Sequence, residues 1–249
     1  MVLNGDAVSM ENIFRNINKD LSEEDILMLS PLHLAYIGDG VYELFIRTYL
    51  LDGRINVNQM NKRARCLVNA RAQALIVSML EEYLTDRENK IVKRGRNTKV
   101  HSSPKNMDIM DYKYATGFEA LLGHLYLRKD YERLYEIMDM ILFRPTEMKL
   151  QGGIFDLEGR DRASLEAELR KLLDGENIAY ENFSLDFIEG DEIDSEKELE
   201  LKIDFPMDIL DFEKKEKKIG DKIIGHIEAE GMSFGGGWSL EFKEDVNEG

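Results

Sequence analysis

Apolar residues recur at helical spacing along the first part of the chain and alternate with polar residues along the last part. The helical spacing covers residues 34–45, 67–80 and 118–126 and predicts a domain built from α-helices alone. One more helix is expected after Asp161, which can cap its first turn, and Gly175 is expected to end it.

Alternation typical of β-strands begins only after that helix, at residues 183–187, 199–205 and 238–242. The acidic stretch 189–198, the lysine-rich run 214–218 and the glycines at 235–237 are predicted to form loops and turns. The predicted fold class is therefore an all-α domain followed by a small α+β domain with a mainly antiparallel sheet.

The charge changes where the pattern changes. The 249 residues carry a formal net charge of −16, which by itself argues against nucleic acid, because phosphate binding needs an excess of Lys and Arg. However, residues 1–142 carry a net charge of only −1, and residues 143–249 carry −15. Within the first part, residues 54–105 hold twelve basic and four acidic side chains, and this local charge of +8 suits a polyanion.

Pattern and charge together divide the chain into three parts. They are a helical N-terminal extension at residues 1–27, a helical domain at residues 28–142 and an acidic α+β domain at residues 143–249, to which the sequence assigns no role.

Composition excludes several classes of protein. A single Cys rules out a disulfide framework and a zinc site built from several thiolates. No apolar run approaches the roughly 20 residues of a membrane-spanning helix, and the N-terminus lacks the basic start and apolar core of a signal peptide. We therefore expect a soluble, cytoplasmic protein with no membrane partner.

The first candidate site lies in the segment PLHLAYIGDGVYELFIR at residues 31–47. Asp39 and Glu43 are one helical turn apart and share a face, with Arg47 one turn further along. Glycines at positions 38 and 40 allow another backbone or a ligand to approach closely.

The second candidate is Glu119, the acidic residue inside the apolar run YATGFEALLGHLY. A carboxylate there costs several kcal/mol unless it is paired or binds a metal. Two carboxylates from separate helices suit a hard cation such as Mg²⁺, which can assist phosphodiester cleavage. The alternative is that Glu43 forms an ordinary helical salt bridge with Arg47, while Asp39 and Glu119 lie at the solvent edge.

The third candidate is the basic segment IVKRGRNTK, which continues to Lys105. Its glycine, arginine and asparagine are expected to end a helix and open a loop that grips the phosphates of double-stranded nucleic acid. The alternative is a solvated, charged loop without a ligand.

These segments, in this order and spacing, resemble the Mini-ribonuclease III branch of the ribonuclease III family, which lacks a double-stranded-RNA-binding domain. The matching stretches are PLHLAYIGDGVYE, NARAQA, VKRGRNTK and YKYATGFEALLGHL. The resemblance covers about residues 28–140 and includes one difference, because Gly40 stands where the family usually has Ala.

The resemblance implies an all-α, ribonuclease III-type endonuclease domain that acts as a homodimer on double-stranded RNA. It also implies a Mg²⁺ site, a role in trimming 23S ribosomal RNA precursors and a place in ribosome biogenesis. Asp39 and Glu119 match the catalytic, metal-binding carboxylates, and Glu43 matches a further acid of the catalytic set. The residues expected to contact RNA are Lys93, Arg94, Arg96, Lys99 and Lys105.

Residues 143–249 have no counterpart in this resemblance, and their charge of −15 would repel RNA. Two hypotheses for them are a docking surface for a protein partner and a restraint that occupies the basic groove in cis. For the whole chain, the leading prediction is an endoribonuclease. The alternative is a non-catalytic RNA- or ribosome-binding protein on the same helical scaffold.

Overall fold

The computed structural model describes residues 21–98, 108–188 and 198–243, and its first part is helical. Its helices are α1 (Glu23–Met28), α2 (Pro31–Tyr49), α3 (Val57–Val68), α4 (Ala70–Leu80), α5 (Asp86–Arg96), α6 (Ile109–Leu127) and α7 (Tyr131–Phe143). None of the helices among the described residues combines the length and the apolar character needed to cross a membrane.

Local sequence explains where the two central helices begin. The Ser30 side chain caps α2 by accepting a hydrogen bond from the backbone N–H of His33, and Pro31 occupies the first helical position. The Asp108 side chain caps α6 by accepting from the backbone N–H groups of Met110 and Asp111. Helix α6 is buried along most of its length and packs against α2, α4 and α5, so it is the central helix of this part.

The second part contains two helices and a four-stranded sheet. Its elements are β1 (Thr146–Phe155), α8 (Arg162–Gly175), β2 (Asn182–Phe187), β3 (Leu199–Met207), α9 (Phe212–Ala229) and β4 (Ser233–Phe242). The strand order is β2-β3-β1-β4 and every neighbouring pair is antiparallel. This order of strands and helices is that of the ferredoxin-like, split β-α-β fold.

The predicted fold class is confirmed, and so are the helix after Asp161 and the three predicted strands. Three local predictions concern loops. The prediction of a loop at 214–218 is wrong, because these residues lie inside α9. The prediction of a turn at the glycines 235–237 is also wrong, because they lie inside β4. Residues 189–197 of the predicted acidic loop lie outside the described residues, as do residues 1–20 of the N-terminal extension.

Strand β1 was not predicted. Its apolar alternation through Met148 and Leu150 is interrupted by Gly152 and Gly153, and side-chain periodicity gives no signal at a glycine pair. In the sheet these two glycines lie opposite Gly236 and Gly235 of β4. The rings of Phe234 and Phe155 lie against this patch of backbone, in the space that side chains would otherwise fill.

The two parts share one continuous apolar core, which runs from Tyr42 in α2 to Phe242 in β4. At their junction the ring of Tyr83 meets that of Phe242 edge to face, with 5.5 Å between centroids. The Arg144 guanidinium lies 4.6 Å from the centroid of the first ring and 5.2 Å from that of the second. The acidic part is therefore packed against the helical part rather than tethered to it.

Candidate active site

Two glycines bring α2 and α6 into backbone contact. A Cβ atom on Gly38 would overlap the carbonyl oxygen of Glu119, and a Cβ atom on Gly123 would overlap the carbonyl oxygen of Leu34. The helices can cross this closely only because both positions lack side chains. The crossing brings Asp39 of α2 beside Glu119 of α6.

The pKa values of Asp39 and Glu119 are both raised, and the Asp39 carboxylate contributes to the shift at Glu119. Partial burial and the nearby Glu43 carboxylate raise the pKa of Asp39, while Arg47 opposes the shift. Burial and the Asp39 carboxylate raise the pKa of Glu119 to about 7, and a hydrogen bond from Gln73 opposes that shift. The sequence prediction that Asp39 and Glu119 come together from separate helices agrees with this arrangement.

Glu43 forms the helical salt bridge considered in the sequence analysis. The distance from Arg47 Nη2 to Glu43 Oε2 is 2.6 Å. Glu43 therefore contributes to the site through its charge, which raises the pKa of Asp39, while its own carboxylate is held by an arginine.

The basic residues of α5 differ in their surroundings. Lys93 is exposed on the last turn. Arg94 donates hydrogen bonds to the carbonyl oxygens of Leu27 and Leu29, at 3.2 and 3.1 Å, and so attaches α5 to the turn between α1 and α2. Arg96 donates to the Tyr114 hydroxyl at 3.1 Å and stacks on its ring. Of these three basic side chains, Arg94 and Arg96 therefore bind other parts of the protein, and Lys93 is exposed to solvent.

The expected loop around these residues is described only in part. Helix α5 continues through Arg96, so Lys93, Arg94 and Arg96 lie on its last turn. Lys99 and Lys105 lie outside the described residues.

Sequence reasoning assigned no role to Gln73, which the structure places at Glu119. It lies in the NARAQA stretch, in a helix whose other buried side chains are apolar: Ala72, Ile76, Val77, Met79 and Leu80. The sequence signal that could have identified Gln73 is a single amide side chain at a helical position flanked by apolar residues on the same face.

Both carboxylates of the pair offer oxygen ligands, which hard divalent cations prefer. Within residues 21–98, 108–188 and 198–243, no three His, Cys, Asp or Glu side chains are grouped so that they could hold a metal ion by themselves. In the described part of the chain, the site thus has a pair of carboxylates rather than a complete ligand cage.

Comparison with known proteins connects this geometry to a family. A model of the Ribonuclease III domain matches residues 32–130. The Mini-ribonuclease 3 of Clostridium tetani is 44% identical over 128 residues, which cover 51% of this chain and 85% of that protein. This chain belongs to the Mini-ribonuclease 3 family. The Mini-ribonuclease 3 of Symbiobacterium thermophilum is 48% identical over 113 residues, which cover 45% of this chain and 87% of that protein.

Membership of the Mini-ribonuclease 3 family confirms the resemblance seen in the motifs and decides between the two functional predictions in favour of an endoribonuclease. A crystal structure of a Fusobacterium nucleatum protein is 37% identical to this chain, covers 47% of it and 94% of its own length, and has a TM-score of 0.43. The family model ends at residue 130, so the sheet and helices α8 and α9 lie outside the matched region.

Proposed function

We propose that this chain is a divalent-metal-dependent endoribonuclease that cleaves double-stranded RNA, with Mg²⁺ as its ion. The observation that carries the proposal is the convergence of Asp39 and Glu119, where burial and then the Asp39 carboxylate raise the pKa of Glu119 to about 7. A cation between them would offset that repulsion and favour the ionised carboxylates.

The residues present fit such an ion. Asp39 and Glu119 would hold it, and the Gln73 side chain that hydrogen-bonds to Glu119 has a buried amide oxygen, Oε1, with no donor among the described residues. When bound, a divalent cation lowers the pKa of water and offsets charge on the leaving oxygen of a phosphodiester. Waters and RNA phosphates would complete its ligands, because the residues that the structure describes bring no third carboxylate, His or Cys ligand to the pair.

The residues of the chain have separate tasks in this proposal. Asp39 on α2 and Glu119 on α6 would hold the divalent cation at one position between the two helices. Glu43, held by Arg47, adds negative charge beside Asp39 without competing for the same position. Lys93, exposed at the end of α5, is available to bind a phosphate of the RNA backbone.

We propose a homodimer as the active form. An apolar stripe follows α2 at helical spacing and is open to solvent, with Leu32 exposed by 44%, Tyr36 by 82% and Leu44 by 62%. A second copy of the chain would cover this stripe, and sedimentation of the wild-type protein measures the oligomeric state.

We further propose ribosomal RNA maturation, including 23S precursor processing, as the pathway and the cytoplasm as the compartment.

For the acidic part we propose a protein partner. Six outward positions of its two central strands carry Glu147, Lys149, Gln151, Glu200, Lys202 and Asp204. These side chains offer no aromatic ring on which an RNA base could stack. Titration of Trp238 fluorescence with polylysine and with an RNA duplex compares the two kinds of partner.

The central test compares wild type with Asp39→Asn and Glu119→Gln on a structured RNA duplex in the presence of Mg²⁺. We expect each substitution to lower the cleavage rate at least 100-fold, because each removes a charge from the proposed ion site. Duplex binding should fall by less than about threefold. Glu132→Gln on α7 removes an exposed carboxylate and is the matched control.

Three results would contradict the proposal. They are binding without cleavage by the wild-type protein, undiminished cleavage by the Asp39 variant, and cleavage in the presence of a chelator. The first of these would favour the non-catalytic alternative.

A further inference from the structure

Gln73 is a polar side chain on the buried side of α4, and only 1% of its surface is exposed. Helix α4 packs against α6, the helix that carries Glu119. Burying an amide costs free energy unless its donors and acceptors are satisfied. The partners of this side chain therefore indicate its role.

The Gln73 side chain contacts both the end of α3 and the candidate site. Gln73 Nε2 donates to the carbonyl oxygen of Val68 at 3.2 Å, where α3 ends. The side chain also forms a hydrogen bond to the Glu119 carboxyl group. The first contact fixes which end of the amide is nitrogen, because the Val68 carbonyl can only accept.

The amide oxygen is different. Gln73 Oε1 is buried, and no residue of the described chain donates to it. Buried acceptors are normally paired, so an unpaired one on a side chain that hydrogen-bonds to Glu119 marks a place for a donor that the described residues do not supply. Water that enters with a cation is such a donor.

A purely structural role explains only part of this arrangement. The bond to Val68 could by itself join α4 to the end of α3. It does not explain why the same side chain also hydrogen-bonds to Glu119, or why its amide oxygen lacks a donor among the described residues. Both features are accounted for if the side chain belongs to the active site.

We propose that Gln73 is a positioning residue of the active site, whose amide orients the Glu119 carboxylate for a divalent ion and whose Oε1 accepts a hydrogen bond from water in the site. This rests on the proposed metal-dependent function. Groups that hydrogen-bond to the ligands of a metal commonly change metal affinity or activity 10- to 100-fold when they are removed.

The test uses Gln73→Met, which keeps the length of the side chain and removes both the donor and the acceptor. Calorimetric titration of the RNA-free protein with Mg²⁺ measures the ion affinity directly, and cleavage at increasing Mg²⁺ measures its use. We expect the dissociation constant for Mg²⁺ to rise at least tenfold and the half-maximal Mg²⁺ concentration to rise by a similar factor. The KM for RNA should stay within about twofold.

Two further variants separate positioning from packing. Gln73→Leu removes the same hydrogen bonds with a different shape, and thermal unfolding shows which of the two variants is folded at the assay temperature. Met79→Leu changes a buried side chain on α4 that has no part in the site. If Met79→Leu weakens Mg²⁺ binding as much as the Gln73 variants do, the effect comes from helix packing and the proposal is overturned.

The proposal is also overturned if the wild type and a folded Gln73 variant bind Mg²⁺ and cleave RNA equally well. In that case the proposed nuclease function stands without this residue. If the wild-type protein itself neither binds Mg²⁺ nor cleaves, the proposed function fails and the role of Gln73 fails with it.

Discussion

The proton affinity of a carboxyl group depends on the charges and the solvent around it, and three carboxylates are close enough at this site to affect one another's pKa. Burial is the largest cause at both Asp39 and Glu119; the Glu43 carboxylate adds to it at Asp39, and the Asp39 carboxylate adds to it at Glu119. In the absence of a cation, the protein therefore stores an unfavourable interaction at this point. That interaction is the reason why the pair is suited to binding a cation and costly without one.

This cost predicts a pH dependence of stability. The pKa of Glu119 rises from 4.5 to about 7 on folding, so between these values the folded state holds a proton that the unfolded state has lost. The free energy of unfolding of the metal-free protein should fall as pH rises from about 4.5 to 7, by at most about 3 kcal/mol. Urea unfolding with a chelator present measures it.

Glu119→Gln supplies the comparison, because a glutamine does not titrate. The variant should become more stable than wild type as pH rises through this range, and the difference should shrink on addition of Mg²⁺. A wild-type stability that follows that of Glu119→Gln at every pH would contradict the raised pKa.

Sequence reasoning found the charged residues of the site and missed the neutral one. Asp39 and Glu119 stand out because acids are rare in apolar helices, whereas an amide such as Gln73 resembles many surface residues. The partners of Arg94 were equally hidden, since its hydrogen bonds to Leu27 and Leu29 bridge more than sixty residues. A charge pattern shows where charged side chains occur along the chain, but it does not show which backbone carbonyl groups those side chains bind.

At the scale of elements, the distance between the carboxylates depends on how closely α2 and α6 approach each other. Gly38 and Gly123 both face the opposite backbone, whereas Gly40, two residues from Gly38, has nothing within 4 Å of the position of a Cβ atom. The same helix therefore contains a glycine that the crossing requires and one that it does not. A contact made by backbone alone also has no side-chain rotamers to lose, so little conformational entropy opposes it.

This contrast gives a matched pair of substitutions. Gly123→Ala should push α6 away from α2, lower the free energy of unfolding by about 1–3 kcal/mol and lower cleavage by roughly tenfold or more. Gly40→Ala should raise the free energy of unfolding by about 0.5–1 kcal/mol, because alanine favours a helix where space is open. Chemical denaturation and RNA cleavage measure both effects. Equal behaviour of the two variants would mean that the crossing does not control the site.

The wrong predictions of secondary structure have a common cause, which is that a local sequence signal does not show the tertiary packing around it. The lysine-rich run at 214–218 lies in α9, where Ile219, Ile223 and Ile227 are buried. Three of its four lysines are exposed, and Lys215 is half-buried and donates to the carbonyl oxygen of Pro206. Amphipathic helices commonly carry such charges on the solvent side, so a charge run does not by itself indicate a loop. In β1 and β4 the glycines are tolerated because rings of neighbouring phenylalanines cover them, a tertiary feature that is invisible in a window of ten residues.

At the scale of the whole molecule, the acidic part is joined to the helical part by specific contacts. Asn69 Nδ2 donates to Glu213 Oε1 at 2.8 Å, and Arg71 pairs with Glu216 while its guanidinium lies 6.0 Å from the ring of Phe212. Deleting residues after position 142 would therefore uncover apolar surface as well as remove acidic charge. Single substitutions at the junction are a cleaner test of what the acidic part does.

Because the core is shared, we expect the two parts to unfold together. Phe242→Ala removes a buried ring that touches Tyr83, so it should lower the free energy of unfolding by about 3 kcal/mol. Fluorescence of Trp238, the only tryptophan in the sequence, reports on the sheet, and far-ultraviolet circular dichroism reports mainly on the helices. Both transitions should shift by the same amount.

The control for this experiment is Phe187→Ala, which removes a ring of the same kind that is 51% exposed and far from the junction along the chain. It should change both transitions by less than about 1 kcal/mol. Separate midpoints for fluorescence and circular dichroism in the wild-type protein would show that the two parts unfold independently.

The junction at Arg144 has a consequence for the first encounter with RNA. Only Arg144 and Pro145 separate α7 from β1, and the packed rings hold the two parts in one orientation. A part with a charge of −15 is thus fixed beside a near-neutral part that contains a stretch of +8, which gives the molecule a permanent dipole moment. At low salt, where the Debye length is about 30 Å at 0.01 M, the field of a polyanion that comes within about this distance exerts a torque on the dipole and turns the helical face of the protein toward the polyanion.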